Sequence, residues 1–176
     1  MDLRKQKTRQ AIEGAFLQLR AERTLEQISV TELACLAKIS KATFYLHYRD
    51  VYDLSETLQK AAIQRMLAQI EGADTALEHW PEFAGKMLAA TERDNAVLRI
   101  LFSDSQLSMF PLLLEDQLRE CILKHSPELK EDTDLSIRLT YHIQGSYHTY
   151  IRHAHHADIQ RILGIVEDIH RKTGVR

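Results

Sequence analysis

The chain has 176 residues, 44% of them apolar and 27% charged, with a net charge of -2, enough to bury one sizeable core or a small module joined to a larger one. Its two cysteines, Cys35 and Cys121, lie in apolar periodic segments and read as core residues, so no disulfide framework is expected and a reducing, cytoplasmic setting is. The longest apolar runs, such as 109–114, fall far short of a membrane span.

Few prolines and glycines, and no long alternating β-branched runs, predict an all-α protein. A first helix is expected over 3–21, where Ile12, Phe16 and Leu19 recur at helical spacing as one apolar stripe. Ser29 then opens a short second helix, with Glu32 three residues on as a capping box, and Leu33, Ala34 and Ala37 facing inward. After a turn at 38–41, Ser40 caps a third short helix, 41–47, whose Phe44 and the following Tyr48 pack on the first two. Asp50 and Asp53 mark the start of a fourth helix over 51–71, a rod of roughly 30 Å. Further helices are expected over 81–92, 96–102, 110–125, 134–155 and 158–172, with Pro81 and Pro111 in first turns. The helix over 96–102 is apolar almost all round and predicts burial on most sides. In the last helix, Ile159, Ile162, Leu163, Ile165, Val166 and Ile169 make a face wider than one neighbour covers, the pattern of a central core helix or of a subunit interface.

The charge is uneven. Residues 1–60 hold ten Lys/Arg against eight Asp/Glu, whereas the other 116 carry an acidic excess. A mildly basic head on an acidic body suits a polyanion at one end.

Two short helices joined by a four-residue turn have helix-turn-helix geometry, in which the second helix enters a major groove about 12 Å wide. Lys41, Ala42, Tyr45 and His47 cannot all share the inward face of Phe44 and Tyr48, so several must project outward. The stretches 8–16 and 28–37, and above all Ile39-Ser40-Lys41-Ala42-Thr43-Phe44-Tyr45-Leu46-His47-Tyr48 followed by Asp50 and Leu54, resemble the TetR/AcrR family of regulators. The resemblance covers about the first third of the chain.

It implies an N-terminal three-helix DNA-binding head over 1–50 and a helical regulatory and dimerisation domain over 51–176. It further implies a homodimer formed through the last two helices, repression at a palindromic operator in double-stranded DNA, and a small effector that changes the separation of the heads. Carried over by position, Thr31 reaches the groove edge or a phosphate, Lys41 and Ala42 face bases, and Thr43, Tyr45 and His47 grip phosphates. Chemically, Lys41 suits guanine and Ala42 a thymine methyl. Two positions depart from the family pattern. Lys38 stands where glycine is usual, so either it adopts a left-handed conformation at a cost of about 1 kcal/mol or the turn is shaped differently. Val51 stands where a backbone-contacting lysine is usual, leaving Lys5, Lys7, Arg9 or Arg49 to supply charge.

The segment 141–156 is rich in tyrosine and histidine. One reading is an effector pocket in which Tyr141 and His148 hydrogen-bond a ligand among Leu98, Leu101, Phe102 and Leu118. Another makes the tyrosines boundary residues and the histidines solvent or seam groups. A third pairs His153 with His156, or His142 with Tyr141 and a Glu from elsewhere, on a zinc-like ion. No nucleophile elbow, phosphate loop, HExxH or paired CxxC occurs, so neither catalysis nor a cofactor is expected. The competing functional class is a helical sensor or adaptor that acts through protein contacts.

Overall fold

The computed structural model describes residues 3–93, 95–153 and 158–173. Among them there are α-helices and short 3-10 turns and no strand. The helices are α1 (Leu3–Arg20), α2 (Val30–Leu36), α3 (Lys41–Tyr45), α4 (Val51–Leu67), α5 (Trp80–Arg93), α6 (Asn95–Leu101), α7 (Met109–His125), α8 (Thr133–His153) and α9 (Ile159–Thr173). They make two compact units, one of Met1–Ala62 with Asn95–Phe110, the other of Ile63–Asp94 with Pro111–Arg176, so that the division falls inside α4.

In the first unit the predicted stripe of α1 is buried, with Ile12 and Phe16 wholly enclosed and Leu19 nearly so. Each such side chain stabilises the fold by about 1.5–3 kcal/mol. Leu25, Leu33, Phe44 and Leu54, wholly or almost wholly enclosed, join them in that core. The caps act locally as their spacing requires. Ser29 Oγ accepts the Glu32 N–H, Ser40 Oγ accepts the Thr43 N–H at 3.0 Å, and Asp50 Oδ1 accepts the Asp53 N–H at 2.8 Å. The reciprocal half of the first box is replaced, because the Glu32 carboxylate takes Arg23 Nη1 at 2.6 Å. Two expected helices end early: α3 stops at Tyr45 and α4 at Leu67. In both, i→i+3 bonds take over the last turn, from His47 N–H to the Phe44 carbonyl and from Gln69 N–H to that of Met66.

α6 packs against α1 in this unit, and the turn that follows it is fastened there by polar groups. The Arg20 side chain is fully buried. Its guanidinium donates to the Arg23 carbonyl and, at 2.6 Å, to Ser103 Oγ, with Asp104 Oδ2 at 3.6 Å. Ser105 donates to Glu26 at 2.6 Å, and buried Gln59 donates to the Leu101 carbonyl at 2.9 Å. Leu98, Leu101 and Phe102 of the α6 segment are buried, while Val97 and Ile100 are half-buried.

The second unit packs α9 against α5 and α8. Trp80, at the start of α5, is its largest buried side chain; it stacks on His142 with centroids 5.0 Å apart and donates to Ser146 Oγ at 3.0 Å. Cys121 is half-buried, and burial pushes its thiol pKa up. The expectation for the other cysteine is corrected. Cys35 is exposed, because the short α2 turns Leu33 and Ala34 inward and leaves the next position on the outer side. Among the described residues no helix is long and apolar enough to cross a membrane.

Candidate nucleic-acid interface

The geometry of the interface begins in the turn between α2 and α3. Lys38 has φ of +54°, the left-handed conformation that was one of the two expected outcomes there. The Lys38 N–H reaches the Cys35 carbonyl at 3.1 Å and the Ile39 N–H reaches that of Ala34 at 3.0 Å. This pair of bonds is a Schellman motif, which satisfies the last carbonyls of α2 and reverses the chain within two residues. Ser40 then starts α3 at once, so α3 leaves at a sharp angle from α2 rather than continuing it.

α3 is anchored from below. Phe44 is wholly buried and Tyr48 nearly so, with ring centroids 5.9 Å apart. The Tyr48 hydroxyl donates to Glu13 Oε1 at 3.0 Å, tying the end of this segment to α1. Burial, reinforced by the Glu13 carboxylate, pushes the Tyr48 pKa up to about 12. With Phe44 inward, Lys41, Ala42 and Tyr45 are turned to solvent. Tyr45 is 56% exposed and is steadied by an edge-on contact of its ring with Phe44 at 5.5 Å. Thr43 and His47 are half-buried at the flanks, the Thr43 hydroxyl 2.8 Å from Ser40 Oγ and the His47 ring tilted against Tyr48. Thr31 is exposed in the first turn of α2. Of the six residues assigned to DNA, Thr31 lies on α2 and Lys41, Ala42, Thr43 and Tyr45 on α3, while His47 follows just after the end of α3. The arrangement offers an ammonium, a methyl, hydroxyls and an imidazole on a rigid, capped support, the chemistry that duplex grooves and phosphates accept.

Val51 is 6% exposed, part of the core beneath α4. An apolar residue is what that packed position takes, and the cation that the family pattern puts there is not replaced by its neighbour Tyr52, which is exposed. Two of the candidate substitutes are engaged, Arg9 with Glu13 at 2.6 Å and Arg49 with Asp53 at 3.1 Å.

The six residues considered for an effector pocket are divided between the units. Leu98, Leu101 and Phe102 are buried in the first, Leu118 is buried in the second, and Tyr141 and His148 are exposed on α8. Of the metal readings, His142 packs on Trp80 and stands edge-on to Tyr141, whereas His156 lies outside the described residues. Among the described residues there is no group of three or more His, Cys, Asp or Glu able to hold a metal ion.

The polar fastening of the turn after α6 was missed by sequence reasoning. Its signal was available: Arg20 follows Phe16 by four residues and so continues the buried stripe of α1, and Ser55 and Gln59 do the same within the apolar face of α4.

No family model matches the chain. Among solved structures it is similar to a gamma-butyrolactone receptor, an ArpA-like protein, at 18% sequence identity and a TM-score of 0.44, over 95% of this chain and 99% of that one.

Proposed function

We propose that the chain is a homodimeric transcription regulator of the TetR/AcrR type that binds double-stranded DNA through α2 and α3 and represses from a palindromic operator. The observation that carries the reading is the division of α3. Phe44 and the following Tyr48 are committed to the core, while Lys41, Ala42 and Tyr45, on the opposite side of the same short helix, face solvent. A core of this kind gives a helix a fixed pose, and only polar or small groups that can meet a base edge or a phosphate stand on its free side.

Dimerisation is supported by the outer faces of α8 and α9. Ile162 and Val166 are buried, but Ile165 and Ile169 are 52% and 47% exposed, and Ile137 and Tyr141 of α8 are 61% and 60% exposed. Gly145 and Gly164 are also exposed, with nothing within 4 Å of an added Cβ, room for a second helix to approach. Of the two readings of the wide apolar face, half of it suits each: one edge is core and the other suits a second subunit. Sedimentation of the wild-type chain and of Ile165→Asp tests this, with a dimer expected for the first and a folded monomer for the second. A wild-type monomer at micromolar concentration removes the dimer from the proposal.

DNA binding is tested by selecting duplexes from a random oligonucleotide pool and measuring the enriched sequence by gel shift. Lys41→Ala is expected to cost about 1–3 kcal/mol on the enriched site and to relax preference at one position in each half-site. Tyr45→Phe removes one phosphate-competent hydroxyl and costs about 1 kcal/mol. Undiminished binding by both folded variants refutes these contacts, and a pool that shows no enrichment with the wild-type chain favours the adaptor reading.

A further inference from the structure

The first turns of α1 and the segment that ends α3 face each other across a groove of about 550 Å³. α1 contributes Lys5, Gln6 and Arg9, the opposite wall Leu46 and His47, and α4 Asp53. The acids in and beneath the groove are already matched. Glu13 takes Arg9 Nε at 2.6 Å and the Tyr48 hydroxyl at 3.0 Å on the same oxygen. Asp53 accepts the Arg49 backbone N–H at 2.8 Å and Arg49 Nη2 at 3.1 Å, bonds that hold its carboxyl below the ordinary carboxylate range. What remains is the Lys5 ammonium, with the Gln6 amide beside it as a donor.

Nine of the ten Lys/Arg of the first sixty residues, all but Arg4, fall into two sets. Arg9, Arg23, Arg49 and Lys60 each face a carboxylate within 3.1 Å, and Arg20 is buried. Lys5, Lys7, Lys38 and Lys41 are exposed and form no ion pair among the described residues. Two of the second set bracket α3, Lys41 as its first residue and Lys5 across the groove from Leu46 and His47, just beyond its last. A helix seated in a major groove lies between two phosphate backbones, so an uncompensated cation just past its end lies where a strand passes.

We infer that this groove is a phosphodiester site, in which Lys5, Gln6 and the His47 ring take one backbone phosphate flanking the bases addressed by α3. The assignment rests on the DNA-binding reading above and deepens it: α1 becomes part of the interface, and Lys5 supplies the charge that buried Val51 does not. The contact is blind to sequence, because phosphates carry no base identity. Lys7 is the control, since it carries the same charge two residues away, is also exposed, and does not line the groove.

The experiment measures the affinity of the wild-type chain, Lys5→Gln and Lys7→Gln for a labelled duplex enriched by the wild-type chain from random oligonucleotides, and for a scrambled duplex, by fluorescence anisotropy across a potassium chloride series. Circular dichroism melting verifies that both variants fold, as substitution of exposed lysines should allow. Lys5→Gln is expected to flatten the log–log salt dependence by about 0.9 for each bound head and to weaken both duplexes by the same factor. Lys7→Gln is expected to change the slope by less than half as much. Equal slopes for Lys5→Gln and Lys7→Gln, or an unchanged slope for Lys5→Gln, overturn the groove assignment while DNA binding stands. A wild-type chain that binds neither duplex at low salt overturns both.

Discussion

Replacing Lys38 by glycine should stabilise the protein. The residue holds φ of +54°, and its side chain is exposed and without an ion pair among the described residues, so truncation removes no ion pair and little burial. A left-handed conformation costs a residue with a Cβ about 1–2 kcal/mol. Glycine abolishes that cost but adds about 0.4–1 kcal/mol of backbone entropy to the unfolded chain. The difference is a gain of about 0.5–1 kcal/mol, with both Schellman hydrogen bonds, made by the N–H groups of Lys38 and Ile39, kept intact. Lys38→Ala retains the strained conformation and should be neutral within about 0.5 kcal/mol, whereas Lys38→Val, β-branched at positive φ, should lose stability. Urea unfolding followed by circular dichroism reads all three as shifts of midpoint at constant slope. A Lys38→Gly variant no more stable than Lys38→Ala refutes the left-handed cap, and with it the account of how α3 is aimed.

Arg20 and Tyr48 give two further tests. Arg20→Met removes charge-assisted hydrogen bonds from a fully buried guanidinium while leaving Asp104, which is half exposed, free to hydrate, so a loss of about 2–3 kcal/mol is expected. Arg23→Ala breaks the exposed pair with Glu32 and should cost no more than about 0.5 kcal/mol in the same urea assay; equal losses argue against the buried clamp. The Tyr48 phenol is held protonated in the fold, its pKa raised from 10.0 to about 12, chiefly by burial. The folded state therefore keeps a proton that the unfolded chain releases, so this contribution is complete below pH 10 and is lost as pH rises from 10 through 12. The loss is of order 2 kcal/mol. Stability measured from pH 8 to 11.5 should fall more steeply in the wild type than in Tyr48→Phe, and parallel profiles contradict the shift.

The amino-acid sequence by itself determined the local punctuation of this protein. Ser29, Ser40 and Asp50 cap helices as their spacing predicts, because each cap is a hydrogen bond to a backbone N–H three residues away and needs nothing from the rest of the chain. Periodicity likewise sorted Ile12, Phe16, Phe44 and Tyr48 onto inward faces, and so left Lys41, Ala42 and Tyr45 outward. Lys38 was legible only as a conflict between a bulky residue and a turn that favours glycine; the pair of cap hydrogen bonds decided it.

What covers each face was settled by tertiary structure alone. The stripe of α1 places Arg20 on the inward side, but the group that receives its guanidinium, Ser103, comes from eighty-three residues away and joins the turn after α6 to the N-terminal helices. Val51 becomes core although Asp50 and Asp53 flank it, Cys35 becomes surface although Leu33, Ala34, Leu36 and Ala37 flank it, and α9 buries Ile162 and Val166 while leaving Ile165 and Ile169 outside. A helical period of 3.6 dictates which side chains share a side of a helix, but burial depends on a partner brought from a distant part of the chain, and no short-range pattern encodes that partner.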